Sequence, residues 1–209
     1  MRQAPLRIIS RTVALGLCAL LCGSCSSVVR QGRGSSYLII DSLTAASGAK
    51  PGDVGNVLQS DVITLVKGPD NNFHSTFFED SGFVTLRLAM KDVTSPLDPT
   101  TNNEITITNY HVKYTRADGR NTPGAEVPYA FDGAVTGTVK TDATLSVNFV
   151  LVRGQAKLEA PLEALRTLGG SVMISTIAEV TFYGHDQAGH QVNVTGKILV
   201  NFADFGDPT

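Results

Sequence analysis

The feature that most constrains the fold is a pair of alternating segments within residues 171–205. Apolar residues occupy even positions in both, at Val172, Ile174, Ala178, Val180 and Phe182 and then at Val192, Val194, Ile198, Val200 and Phe202. Alternation with a period of two is typical of a strand with one buried face. The stretch Gly184–His190 between them contains two glycines and an aspartate, which favour a turn. The pattern predicts a long antiparallel hairpin, and a hairpin needs a facing layer to be stable in water.

The rest of the chain has the composition of strands and turns, and strands are predicted at residues 37–43, 57–67, 73–78, 82–91, 104–116, 134–140 and 144–152. Only one segment has helical spacing, with leucines at Leu158, Leu162, Leu165 and Leu168. Pro161 suits a first helical turn and Gly169-Gly170 suits a stop, so we expect one connecting helix of about two turns. The fold class is therefore all-β, a sandwich of eight or nine strands with one short helix.

A change of parity marks the segment from Glu104 to Arg116. Apolar residues first take odd positions, at Ile105 and Ile107, and then even ones, at Tyr110, Val112 and Tyr114. Because side chains alternate between faces, this switch predicts either a β-bulge near Thr108 and Asn109 or a strand that changes sheets.

Two short motifs carry a family resemblance. Residues 105–119 read ITITNYHVKYTRADG and resemble the third strand of fibronectin type III modules, which runs Ile-x-x-Tyr-x-Val-x-Tyr and ends in Asp-Gly. Residues 186–189 resemble the Asp-x-Ala-Gly turn of bacterial immunoglobulin-like repeats. The fibronectin core Trp and the disulfide of antibody-type domains are missing. The resemblance implies an immunoglobulin-like antiparallel β-sandwich, with binding loops at its ends and no chemistry of its own.

The first 24 residues have the pattern of a secretory signal peptide. Arg2, Arg7 and Arg11 precede an apolar stretch at residues 12–21, and small residues follow it. The apolar stretch is short for a membrane span, which needs about 20 residues, and a short transmembrane anchor is the alternative.

The end of this segment resembles the lipobox of bacterial lipoproteins, at Leu21, Gly23, Ser24 and Cys25, although Cys22 stands where that family prefers Leu. The resemblance implies an exported bacterial protein anchored through a lipid on Cys25, with Cys22 as the alternative position. Ser26 after the cysteine implies the outer membrane. Residues 25–36 would then be a lipidated cysteine with a flexible tether, and residues 37–209 the sandwich domain.

Charge and cysteine content exclude some classes of function. The formal net charge is −2, and without the three arginines of the first 24 residues the remaining 14 basic and 19 acidic residues give −5. A mildly acidic body argues against binding nucleic acid, which requires a basic face. All three cysteines lie in the N-terminal segment, so the body has no disulfide framework.

Two groups of residues are candidate metal ligands. His185, Asp186 and His190 lie within one predicted turn and could bind Zn²⁺ or Cu²⁺, although a structural zinc site needs a fourth ligand. Asp70, and Asp98 with Asn102 and Glu104, are oxygen-rich loop residues that could hold Ca²⁺. A polar hairpin turn and ordinary Asx turns are the alternatives, and neither group matches an EF-hand.

The sequence favours a non-enzymatic role without a cofactor. His74 and His111 are present, but no Gly-x-Ser-x-Gly motif accompanies them and the body has no cysteine nucleophile. We therefore expect a binding or assembly module of the cell envelope, which contacts a protein partner through its loops or by strand addition to an open sheet edge. A metal-binding (calcium) or carbohydrate-binding accessory domain is the alternative, and an enzyme is a third hypothesis.

Overall fold

The structure, a computed structural model, describes residues 34–94 and 98–207. These residues form an all-β sandwich, and the described part of the chain contains ten strands. The strands are β1 (Ser36–Ala46), β2 (Val57–Asp61), β3 (Thr64–Lys67), β4 (Phe73–Thr76), β5 (Asp80–Met90), β6 (Ile105–Thr115), β7 (Phe131–Val139), β8 (Leu145–Val152), β9 (Ile174–Asp186) and β10 (Gln191–Ala203).

Two sheets form the layers of the sandwich. One has five strands in the order β2-β10-β9-β6-β7, and the other has three in the order β1-β5-β8. Strands β3 and β4 form a separate two-stranded ribbon. Neighbouring strands are antiparallel except β2 and β10, which are parallel.

The core lies between the two sheets and is centred on aromatic rings. Tyr110 on β6 packs edge-on against Phe149 on β8, with ring centroids 5.2 Å apart, and Phe149 packs in the same way against Phe182 on β9. The buried hydroxyl groups are paired, as buried polar groups must be. The Tyr110 hydroxyl accepts a hydrogen bond from the Val150 N–H at 3.1 Å, and the Tyr114 hydroxyl donates to the Leu151 carbonyl.

The predicted long hairpin is confirmed. Strands β9 and β10 pair in continuous register from Ile174 opposite Phe202 to His185 opposite Gln191. The even-numbered apolar residues of both strands face the core, although Val172 lies before β9 and is exposed. The turn is shorter than expected because β9 continues through Gly184 to Asp186.

The predicted bulge in β6 is also confirmed. The register of β6 shifts between Ile107 and Asn109 against both β7 and β9. Thr108 is an extra residue of β6 relative to β9. It lets Ile105 and Ile107 before it, and Tyr110 after it, face the same core. Gly184 lies directly beside the bulge, where a Cβ atom would be 2.4 Å from the Thr106 carbonyl oxygen.

The prediction of one strand over residues 57–67 was wrong. The segment forms β2 and β3, which belong to different sheets, and this split raises the strand number above the predicted eight or nine. The Asp61 carboxylate explains the break, since it accepts hydrogen bonds from the Thr64 hydroxyl at 2.8 Å and the Phe205 N–H at 3.0 Å. These bonds turn the chain away from the sheet after Asp61.

The single connecting helix was also predicted wrongly. Two short 3₁₀ helices occupy this region, at Gly154–Leu158 and Glu163–Thr167, and the Ala160–Pro161 peptide bond between them is cis. Leu162 and Leu165 are buried, whereas Leu158 and Leu168 are 38% and 40% exposed. The two buried leucines are three residues apart, which is the spacing that places side chains on one face of a 3₁₀ helix. The predicted stop is present, because Gly169 and Gly170 have φ values of 52° and 73°.

The chain enters and leaves the sandwich at opposite ends. At the N-terminal end, the Ser36 hydroxyl donates to the Asn103 carbonyl at 2.9 Å, and Gly34 lies against Asp186 and His190 of the β9–β10 turn. The C-terminal end contains the β1–β2 loop and the residues that follow β10. The three cysteines and the predicted signal peptide lie outside the described residues.

Candidate functional site

The β9–β10 turn is organised by the carboxylate of Asp186, whose side chain is 4% exposed. Its Oδ1 accepts hydrogen bonds from the N–H groups of Ala188 (3.0 Å) and His190 (2.8 Å), and its Oδ2 lies 2.8 Å from the His190 Nδ1. Burial alone would raise the pKa of Asp186, but the hydrogen bonds from His190 and Ala188 hold the pKa below its usual value. The turn thus brings two of the three predicted metal ligands together.

The third predicted ligand, His185, points away from this pair. It lies on the exposed face of β9, opposite to the buried Asp186, because successive side chains of a strand alternate. Its Nδ1 is 3.1 Å from the Asp186 carbonyl oxygen. Within the described residues, no group of three or more His, Cys, Asp and Glu side chains is placed to hold a metal ion.

The predicted calcium ligands lie in two different connections. Asp70 is in the β3–β4 turn, where its carboxylate accepts from the Asn72 N–H at 3.2 Å and pairs with the His74 ring at 2.9 Å. These contacts, led by the one with His74, lower the pKa of Asp70. Asp98, Asn102 and Glu104 are in the β5–β6 connection, around a 3₁₀ helix at Thr101–Asn103. The Asp70 carboxylate thus binds groups of its own turn, which is the arrangement of an Asx turn.

A buried charge pair, missed in the sequence, links distant parts of the chain. The Lys157 ammonium group donates to Asp80 Oδ1 at 3.0 Å, and the two side chains are 1% and 0% exposed. The same carboxylate accepts from the Gly48 N–H at 2.9 Å and from the Ser60 hydroxyl at 2.6 Å. All these donors are supplied by the protein itself, so the arrangement is that of a satisfied structural centre.

The outer face of the five-stranded sheet is polar, and its side chains pair across the strands. Glu179 on β9 contacts Lys197 on β10 at 2.6 Å, and the hydroxyls of Thr181 and Thr195 are 2.8 Å apart. His111 on β6 pairs with Asp132 on β7 at 2.8 Å. His74 pairs with Asp70, so the two histidines considered for catalysis each contact a carboxylate.

A groove of about 640 Å³ opens on this outer face beside the β6 bulge, and we call it the bulge groove. Its polar lining comes from four neighbouring strands and includes Thr108, Asn109, Asp132, Tyr183, His185 and Asn193. Asn109 lies opposite Tyr183, and Tyr183 lies opposite Asn193, so these three residues form one row across β6, β9 and β10. The Thr108 hydroxyl donates to Asn109 Oδ1 at 2.9 Å. The sequence offered one signal for this groove, the parity switch at Thr108.

A second cavity, of about 290 Å³, lies at the C-terminal end between the β1–β2 loop, β2 and Phe205. Lys50 and Asp53 of the loop line it together with Val57 and Asp61. Burial raises the pKa of Asp61, although the hydrogen bond from Thr64 opposes this effect. Both carboxylate oxygens of Asp61 accept hydrogen bonds from the protein, so this side chain holds the fold together at this end of the sandwich.

Strand β10 has an open edge along half of its length. The Asp186 N–H donates to the His190 carbonyl, so the even-numbered residues of β10 bond to β9 and the odd-numbered ones face the other side. On that side β2 pairs only with Leu199–Ala203. Within the described part of the chain no strand pairs with the odd-numbered backbone groups of Asn193, Thr195 and Lys197.

Two comparisons with known proteins found no match. The sequence matches no protein-family model, and no curated protein is significantly similar to it. Among the described residues, no helix is long and apolar enough to cross a membrane.

Proposed function

We propose that this protein is an exported bacterial lipoprotein, anchored through Cys25, whose sandwich binds an envelope protein by strand addition. The role is non-enzymatic: the domain holds an extended segment of the partner at the membrane surface. The observation that carries this proposal is the open edge of β10 at Asn193, Thr195 and Lys197.

The position of β1 supports the anchor. The first strand begins at Ser36, so only a short segment separates Cys25 from the folded domain. A flexible chain of this length spans roughly 18 Å. A lipid on Cys25 would therefore keep the N-terminal end of the sandwich, with the β9–β10 turn, close to the lipid headgroups.

The strand order supports an immunoglobulin-like type of sandwich. Immunoglobulin variable domains place strands G, F, C and C′ side by side in one sheet and A, B and E in the other. Here β10, β9, β6 and β7 have the first order, and β1, β5 and β8 have the second. The segment that resembles a fibronectin third strand is β6, which takes the place of strand C.

The open edge supports strand addition by its length and its chemistry. Three odd-numbered residues of β10 direct N–H and C=O groups away from β9, and a partner strand can pair with such groups. Unpaired edges invite association, and proteins usually block them with short strands, charges or prolines. On β10 only Lys197 is charged in this stretch, and it is paired with Glu179.

The anchor is tested by the intact mass of the protein extracted from membranes of its own host. We expect a chain that starts at Cys25 and carries a diacyl or triacyl increment, and we expect Cys25→Ala to remove it. A chain cut elsewhere without lipid would contradict the anchor.

Strand addition is tested by photo-crosslinking in host cells, with a photoreactive residue at position 197. Thr195→Pro removes an N–H that faces the open edge and leaves the ladder to β9 intact, so we expect it to abolish the adduct without unfolding the domain. A photoreactive residue at Arg87, exposed on the three-stranded sheet, is the control position. An adduct that survives Thr195→Pro, or that forms equally from position 87, would refute pairing at this edge.

A further inference from the structure

We propose that the bulge groove is a binding site for a neutral saccharide. A pyranose ring would stack on Tyr183, and its hydroxyl groups would pair with Asn109, Asn193 and Asp132. The site lies on the outer face of the sheet rather than along its edge, so the inference goes beyond strand addition and does not depend on it.

Tyr183 provides the platform of the site. It is half-buried in the middle of the five-stranded sheet, with neighbouring strands on both sides. Cross-strand neighbours on one face of a sheet lie about 4.5–5.5 Å apart at their Cβ atoms, so Asn109 and Asn193 flank the ring. A tyrosine ring combines an apolar face with a polar tip. This combination matches a pyranose, which has a C–H face and a rim of hydroxyls.

Planar polar groups surround this ring. An asparagine amide has one acceptor and two donors in one plane, which can serve two adjacent hydroxyl groups at once. The Thr108 hydroxyl orients the Asn109 amide by donating to its oxygen at 2.9 Å. Within the described residues the Asn109 amide nitrogen makes no hydrogen bond, and it can donate to a ligand.

The charge of the lining selects a neutral ligand. Among the described residues that line the groove, Asp132 is the only carboxylate, none is a lysine or an arginine, and His185 is the only side chain that could carry a positive charge. The Asp132 carboxylate is paired with His111 at 2.8 Å. A phosphate or a uronic acid would face this carboxylate without a lysine or an arginine to compensate its charge. An apolar ligand would leave the amide groups without hydrogen-bond partners. Neutral hydroxyl groups can both donate to the carboxylate and accept from the amides.

The size and origin of the groove agree with this ligand. A volume of about 640 Å³ lies within the range of about 300–1,000 Å³ that is usual for small-molecule sites. The groove is open to solvent on one side, so it can take an inner unit of a longer glycan. It exists because the extra residue of the bulge interrupts the pairing of β6, and bulges are frequent beside binding sites.

The test is saturation-transfer difference NMR on the full chain purified in detergent, with trisaccharides of glucose, mannose and N-acetylglucosamine as probes. We expect transfer to the C–H face of at least one probe, and about tenfold weaker binding after Tyr183→Ala. Tyr37→Ala is the matched control, since Tyr37 is an exposed tyrosine on the other sheet. The absence of transfer to all three probes, or equal binding by Tyr183→Ala, would overturn the proposal.

A second variant covers the case that Tyr183→Ala fails to fold. Asn193 is exposed, so Asn193→Ala keeps the core intact and removes one amide from the site. We expect it to weaken binding several-fold, whereas unchanged binding would overturn the assigned role of this row. Neither result depends on the edge of β10, because Thr195→Pro leaves these side chains in place.

Discussion

Lys157 and Asp80 are 77 residues apart in the chain and form a charged pair with almost no contact with solvent. Removing two charges from water is costly, and the cost is recovered only when each charge has good partners. Asp80 accepts three hydrogen bonds, from Lys157, Ser60 and Gly48. This one carboxylate therefore joins β5 to β2, to the β1–β2 loop and to the first 3₁₀ helix after β8.

We predict that Lys157→Met lowers the free energy of unfolding by about 3–5 kcal/mol, because it leaves the Asp80 carboxylate buried without its cation. Urea denaturation measures this loss. Lys197→Met is the matched control: its partner Glu179 is on the outer face, and such exposed pairs contribute about 0–1 kcal/mol. The double variant Asp80→Asn, Lys157→Met should lose less than the sum of the single losses. Strict additivity would contradict a coupled pair.

Asp186 gives the domain a dependence on acid pH. Its pKa in the fold lies below the usual value of 3.8, so its stabilisation is present above that pH and is lost as the pH falls through the lower, folded-state value. We predict that Asp186→Asn lowers the free energy of unfolding by about 1.5–3 kcal/mol at pH 6, and that the deficit shrinks towards pH 2. Asp142→Asn, at an exposed turn position, should change stability by less than about 0.5 kcal/mol at both pH values. A deficit that grows on acidification would refute the assignment.

At the scale of the elements, the sequence predicts those that follow from side-chain alternation. The β9–β10 hairpin was predictable because Val180, Phe182, Val192 and Val200 maintain one parity through two strands. The bulge was predictable because the parity of β6 changes at Thr108 while both halves remain apolar. Local pattern alone carries this information.

A substitution at Gly184 tests how closely β9 approaches the bulge in β6. We predict that Gly184→Ala lowers the free energy of unfolding by about 1–3 kcal/mol, because the new Cβ atom would be 2.4 Å from the Thr106 carbonyl oxygen. Thermal and urea denaturation measure the loss. Gly52→Ala is the matched control, since no atom lies within 4 Å of its Cβ position. Equal stability of the two variants would show that the bulge can relax.

Elements that depend on contacts between distant residues were not predictable. The break after Asp61 requires Phe205, which is 144 residues away and donates its N–H to the carboxylate. The 3₁₀ helix at Gly154–Leu158 places Lys157 against Asp80, a contact that no local periodicity can reveal. The bulge groove requires the register of three strands at once, so Asn109, Tyr183 and Asn193 form a row only in the folded chain. The turn residues His185, Asp186 and His190 were close in sequence, yet strand alternation separates His185 from the other two.

At the scale of the whole molecule, stability should be uneven. Strands β9, β10 and β6 form the centre of the larger sheet, whereas the β3–β4 ribbon has four residues in each strand and is mostly exposed. Two-stranded ribbons are marginally stable. We therefore predict that amide hydrogens in β3 and β4 exchange at least about a hundredfold faster than those of Val180 and Phe182, as native-state hydrogen exchange would measure. Equal protection would mean that the ribbon unfolds only together with the sandwich.

The opposite placement of the two chain ends has a mechanical consequence. Tension between Gly34 and Phe205 would act on β1 at one end of the sandwich and on β10 at the other, and it would reach β2 only after β1 had separated from β5. Strands β2 and β10 are parallel and pair over five positions, from Val57 with Leu199 to Asp61 with Ala203. Their hydrogen bonds would be loaded in shear, all together, instead of being unzipped one by one. A domain stretched between these two points would thus resist force first with the β1–β5 ladder and then with the short parallel ladder between β2 and β10.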